Sequence, residues 1–161
     1  MGIACEVHPA GVEELTSGDP EAVALENARR KANAIAADLP GRRVLGVDTV
    51  VALDGELFGK PADHAEATAT LTRLAGRTHR VVSGLVLRPD GERTAVTRVT
   101  FRTLTRAQVA RYVAAGEWRG RAGGYAIQER GAGLVEHIEG DYANVVGLPV
   151  AALLDLAPDL L

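Results

Sequence analysis

The chain has 161 residues, 47% hydrophobic, 24% charged and only 4% aromatic, with a net charge of -3. That describes one globular domain with a mostly aliphatic core, so disorder as the main state is excluded. With no basic excess, polymeric DNA or RNA is excluded as the main ligand, although a small anion needs only a few local cations.

In chain order, residues 3–7 read as a short strand, followed by an acidic loop holding Glu13 and Glu14. Asp19-Pro20 is a helix start, with Asp as cap and Pro at the first helical position. Val23, Ala24, Ala28, Ala32 and Ile35 recur at helical spacing, which carries the helix to about Asp38 before Pro40-Gly41 ends it. Residues 43–53 form a strand with successive apolar positions, as in a strand buried on both faces. Asp54-Gly55 then signals a hairpin turn. Asp63 with Glu66 opens a second helix, closed by Gly76. Strands over 79–87 and 93–103 flank the turn at Pro89-Asp90-Gly91 as a long hairpin. Thr105 with Gln108 starts a helix that ends at Gly116. A Gly- and Arg-rich stretch follows, then a strand over 134–138 and a last helix from Asn144 onward. Helices alternate with strands around one strong hairpin, so the fold class is a single α/β domain with a mixed sheet.

The lone Cys5 excludes an internal disulfide and a cysteine-rich metal site, and no apolar run reaches the roughly 18 residues of a membrane span. Residues 1–9 are too short and polar for a signal peptide, so the expected location is the cytoplasm.

Asp48 is the most informative residue. It interrupts the apolar run Val44-Leu45-Gly46-Val47, and a buried carboxylate is costly unless paired, hydrogen-bonded or metal-bound. The competing reading is an edge strand with Asp48 facing water; Gly46 and the long apolar flanks favour a central strand. Lys60, held between Gly59 and Pro61, suits a phosphate or carboxylate oxygen, but read locally it is a solvated loop lysine. Arg29-Arg30-Lys31 reads as a solvated helix face from which one cation reaches a cleft. Glu13 and Glu14 form an acidic loop that, with Asp48, would suit a hard divalent cation. In Arg119-Gly120-Arg121-Ala122-Gly123-Gly124-Tyr125 the glycines let amides approach an anion and the arginines match phosphate geometry, while the Gln128 amide suits a base edge. The four histidines are scattered, and Ser83 lacks a nucleophile elbow, so a serine hydrolase is unsupported.

Taken together, 44–51 (VLGVDTVV), Gly59-Lys60-Pro61, Gly123-Gly124-Tyr125-Ala126-Ile127-Gln128 and Asn144-Val145-Val146-Gly147-Leu148-Pro149 resemble the Maf family of nucleotide pyrophosphatases, in order and spacing, across essentially the whole chain. The resemblance implies a long twisted mixed sheet flanked by helices around a central cleft. It also implies hydrolysis of a nucleoside triphosphate to the monophosphate and pyrophosphate with a divalent cation, magnesium or manganese. Asp48 matches the catalytic proton acceptor, and metal ligation by Asp48 with Glu14 remains open beside that role. Lys31 and Lys60 match the cleft lysines. Thr49 and Gln128 match positions that resemble the branch acting on dTTP and UTP. A homodimer, a cytoplasmic location and a link to septum formation are further implications. The family also opens with a strand, a phosphate-binding S-x-S-P-R-R turn and a helix. That unit is absent here, so residues 1–161 are expected to form a single domain lacking it. The alternative is a catalytically weak nucleotide-binding regulator of cell division.

Overall fold

The computed structural model describes residues 4–160. Side-chain caps set the helix starts. Asp19 accepts the Ala22 N–H at 3.0 Å and opens α1 (Pro20–Asp38). Asp63 accepts the Glu66 N–H at 2.8 Å and opens α2 (His64–Leu74). Thr105 and Gln108 cap each other at the start of α3 (Arg106–Ala115). β1 (Val44–Leu53) turns through Asp54 and Gly55, both at positive φ, into β2 (Glu56–Phe58). β3 (Thr78–Arg88) and β4 (Gly91–Phe101) make the long hairpin, and β5 (Val135–Glu139) follows two short 3-10 turns.

The strands order as β2-β1-β3-β4-β5, and every pairing among the described residues is antiparallel, so the expected α/β domain holds but its described sheet is antiparallel and not mixed, each strand running against its neighbour. The register sets Asp48 opposite Gly84 and Thr49 opposite Ser83. α1 covers one face of the sheet, where Ala28 and Ala32 pack on Val86. On the other face Val51, Val81, Val99 and Phe101 pack beneath α2 and α3, against Leu71, Leu74, Val109 and Val113. Leu85 and Leu87 pack there beneath Leu153 and Ala157.

Three local expectations change. Ile3 lies outside the described residues, and residues 4–16 have no regular structure; among the described residues no strand lies beside 4–7 to pair its backbone groups. The last helix is two, α4 (Tyr142–Val146) and α5 (Val150–Leu156), because Gly147 takes a φ of 120° and Pro149 cannot continue the first. β1 is flanked by β3 along 44–52 but by β2 only along 51–53, so its first seven residues form a free edge among the described residues. Asp48 is nevertheless 7% exposed, because α1 covers it.

Candidate active site

Two glycines let α1 lie directly on the sheet. A Cβ at Gly46 would stand 2.4 Å from the Ala28 carbonyl oxygen, and one at Gly84 2.4 Å from that of Ala24. With no side chain in the way, the helix backbone settles against β1 and β3. Residues one turn apart on α1, Asn27 and Lys31, then reach Asp48 together. Lys31 Nζ donates to Asp48 Oδ1 at 2.5 Å, and Asn27 Nδ2 donates to Oδ2 at 3.0 Å. The buried carboxylate therefore has a donor on each oxygen, the condition under which such a group is tolerated.

The acidic loop closes over this pair. Lys31 Nζ lies 2.6 Å from Glu14 Oε1, so one ammonium serves two carboxylates. The hydrogen bond from Lys31 holds the Glu14 carboxyl below the usual carboxylate range, and the charge of Lys60 acts in the same direction. Burial opposes the charge on Lys31, but its bonds to Asp48 and Glu14 outweigh that and keep its pKa above the ordinary value.

Lys31, Asp48, Thr49, Lys60 and Arg121 line one cleft of about 230 Å³, which wraps the free edge of β1. Glu14 approaches it through Lys31. The loop carrying Lys60 is tied to the Gly-rich loop: the Gly123 N–H donates to the Gly59 carbonyl at 3.0 Å. Gly123 needs its positive φ of 67°, and any Cβ there would press on Val51. Tyr125 lines the same cleft from below, its hydroxyl 2.8 Å from His79 Nε2. Burial pushes the His79 pKa down to about 4, so this imidazole is neutral at ordinary pH. The Thr49 and Ser83 hydroxyls share a hydrogen bond at 2.7 Å. Gln128 stands apart from this group, exposed at the start of the 3-10 turn Glu129–Leu134.

In charge, the lining offers three cations, Lys31, Lys60 and Arg121, near two carboxylates. Lys31 is committed to the carboxylates, whereas Lys60 and Arg121 make no ion pair among the described residues. For a divalent cation, no group of three or more His, Cys, Asp or Glu side chains is gathered among the described residues. Asp48 and Glu14, drawn together by Lys31, supply two carboxylates, and magnesium is commonly held by one or two carboxylates plus substrate phosphates. The donor set thus fits an ion that arrives with a polyphosphate.

One member of the site escaped the sequence reading, and another was read only as part of a loop. Asn27 bonds Asp48 from inside α1; the signal was a polar residue on the stripe of Val23, Ala24 and Ala28. Arg121 was one cation among several in its loop, and only the cleft singles it out.

The chain is similar to known proteins over most of its length. Residues 1–160 match the family described as Maf-like protein. The chain is similar to a protein of Deinococcus radiodurans named dTTP/UTP pyrophosphatase, with 46% identity over 160 residues, covering 97% of this chain and 82% of that one. A Pyrococcus furiosus protein of the same name is 43% identical over 155 residues, covering 93% and 82%. Another of that name, from Nitratidesulfovibrio vulgaris, is 48% identical over 163 residues, covering 97% and 78%. With the match running from end to end and relatives of this identity, the chain belongs to the Maf family.

Proposed function

We propose that the chain hydrolyses nucleoside triphosphates, dTTP and UTP first among them, to the monophosphate and pyrophosphate. The observation that carries this reading is Asp48: a carboxylate gripped on both oxygens in the wall of a cleft that also presents Lys60 and Arg121, cations with no ion pair among the described residues. Attack on the α-phosphorus needs a base for water and positive charge around the departing pyrophosphate. Asp48 takes the proton of the attacking water. Lys60 and Arg121 receive the charge that develops on the leaving phosphates. Lys31 offsets the two carboxylates, so that a polyanion can enter beside them. Bound by Asp48, Glu14 and the phosphates, a magnesium or manganese ion would supply further charge neutralisation there. The nucleobase is the part of the substrate assigned to Thr49, fixed by Ser83, and to Gln128. The names of the relatives support the pyrimidine preference.

The working unit in this reading is a cytoplasmic homodimer, for which the exposed Val96, Tyr142, Val146 and Leu148 offer apolar surface. No helix among the described residues is long and apolar enough to cross a membrane. The test is release of pyrophosphate from dTTP, UTP and GTP with magnesium, by the wild type and by Asp48→Asn. Turnover of dTTP and UTP that Asp48→Asn lowers at least a hundredfold supports the reading; binding without turnover in the wild type rejects it for a regulator.

A further inference from the structure

We propose that Asn27 is the positioning residue of this site: its one carboxamide fixes the plane of the Asp48 carboxylate and locks the Glu14 loop onto α1. The proposal rests on the hydrolytic reading above. Asparagine is a poor choice for a helix interior, and a carboxamide buried to 1% exposure is costly unless its polar atoms are bonded. Here they are. Its two N–H groups point to the Leu15 carbonyl at 3.1 Å and to Asp48 Oδ2 at 3.0 Å. Its carbonyl accepts the Leu15 N–H at 2.7 Å. The amide thus meets Leu15 as a neighbouring strand would, donor to acceptor and acceptor to donor, and spends its remaining N–H on the carboxylate.

The contact closes a ring. Leu15 adjoins Glu14, Glu14 meets Lys31, Lys31 meets Asp48, and Asp48 returns to Asn27. Lys31 alone would leave the Asp48 carboxylate free to turn about its own axis, because it holds one oxygen. The second grip removes that freedom. The same side chain, with Arg30 Nη1 donating to the Glu13 carbonyl at 3.0 Å and Lys31 paired to Glu14, keeps Glu14 at the site although residues 4–16 have no regular structure of their own. The two substitutes fail in distinct ways. Aspartate keeps the bond from the Leu15 N–H but loses both donors and sets a like charge beside Asp48. Alanine loses everything.

The experiment compares wild type, Asn27→Asp and Asn27→Ala in steady-state dTTP hydrolysis, with amide hydrogen exchange read at Leu15. Misplacement of a reacting group by about 1 Å costs on the order of a hundredfold in rate. The expected result is a kcat at least tenfold lower in both variants with KM changed less than threefold. Leu15 stays protected in wild type and Asn27→Asp and exchanges at least tenfold faster in Asn27→Ala. A kcat within twofold of wild type in either folded variant overturns the proposal, and so does a loss confined to KM. If the variants do not fold, an unprotected Leu15 amide in the wild type overturns it, and a protected one upholds the hold on the loop. If the wild type turns over no triphosphate, the hydrolytic reading fails by itself. The clamp is then judged on exchange: opening of Leu15 in Asn27→Ala upholds it, and unchanged protection overturns it.

Discussion

Gly84→Ala tests whether the seating of α1 sets up the chemistry. The new Cβ would stand 2.4 Å from the Ala24 carbonyl oxygen and 2.5 Å from Leu25 Cα, where ordinary contact begins at 3.4 Å. Those atoms are backbone, so no side chain can swing aside, and the helix must lift by about 1 Å. Asn27 lies within a turn of the strike point. Its 3.0 Å bond to Asp48 would stretch to roughly 4 Å, beyond hydrogen-bond range. The longer Lys31 side chain can follow the shift and keep its contact. Overpacking of this kind costs about 1–3 kcal/mol. For a chain of this size that lowers Tm by roughly 3–9 °C. The catalytic loss should be larger in proportion, on the order of a hundredfold in kcat. The assays are thermal unfolding followed by circular dichroism and pyrophosphate release well below the lowered Tm. Gly133→Ala is the control, because nothing lies within 4 Å of a Cβ there. A Gly84→Ala protein with wild-type Tm and kcat would refute the argument that glycine seats the helix.

Three further outcomes follow from the same geometry. Lys31→Met leaves Asp48 and Glu14 facing each other without their shared cation; the loss should be about 2–3 kcal/mol in chemical denaturation, below the full cost of breaking a buried pair because Lys31 keeps 23% side-chain exposure. His79 is held neutral down to about 4 by its burial, whereas in the unfolded chain it titrates near the ordinary histidine value of 6.5. Below that value the unfolded state binds the extra proton, so stability is full above about pH 6.5 and falls by up to about 3 kcal/mol towards pH 4; in His79→Gln this part of the slope should vanish. Arg121→Ala should lower kcat/KM for triphosphates at least tenfold while leaving Tm within about 2 °C, since the residue is exposed and makes no ion pair among the described residues; unchanged kcat/KM would remove it from the site.

What could be read from the sequence was local. Asp19, Asp63 and Thr105 announced their helices because a cap needs only a side chain and an amide two or three residues on. Asp48 announced itself because a carboxylate in an apolar strand demands a partner. The identity of that partner was another matter. Lys31 lies 17 residues away and Asn27 21, and both reach Asp48 only because Gly46 and Gly84 remove the side chains that would hold the helix off. Gly46 was read only as a mark of a central strand, and Gly84 as the neighbour of Ser83. The same limit applied to 142–156, where an apolar pattern suggested one helix. There Gly147 and Pro149 break it, and the buried Asn144 anchors the first piece by bonding the Val81 carbonyl at 3.1 Å and Thr97 Oγ1 at 3.0 Å. Residues 4–7 carried a strand-like pattern, but a strand also needs a neighbour, which no pattern within the segment can supply.

In the proposed reaction, water attacks the α-phosphorus under the control of Asp48. Turnover of dTTP in oxygen-18 water, with mass analysis of both products, measures it most directly. One labelled oxygen is expected in the nucleoside monophosphate, none in the pyrophosphate, and at least a hundredfold slower labelling in Asp48→Asn. Label in the pyrophosphate, release of orthophosphate instead, or undiminished labelling in Asp48→Asn would contradict it.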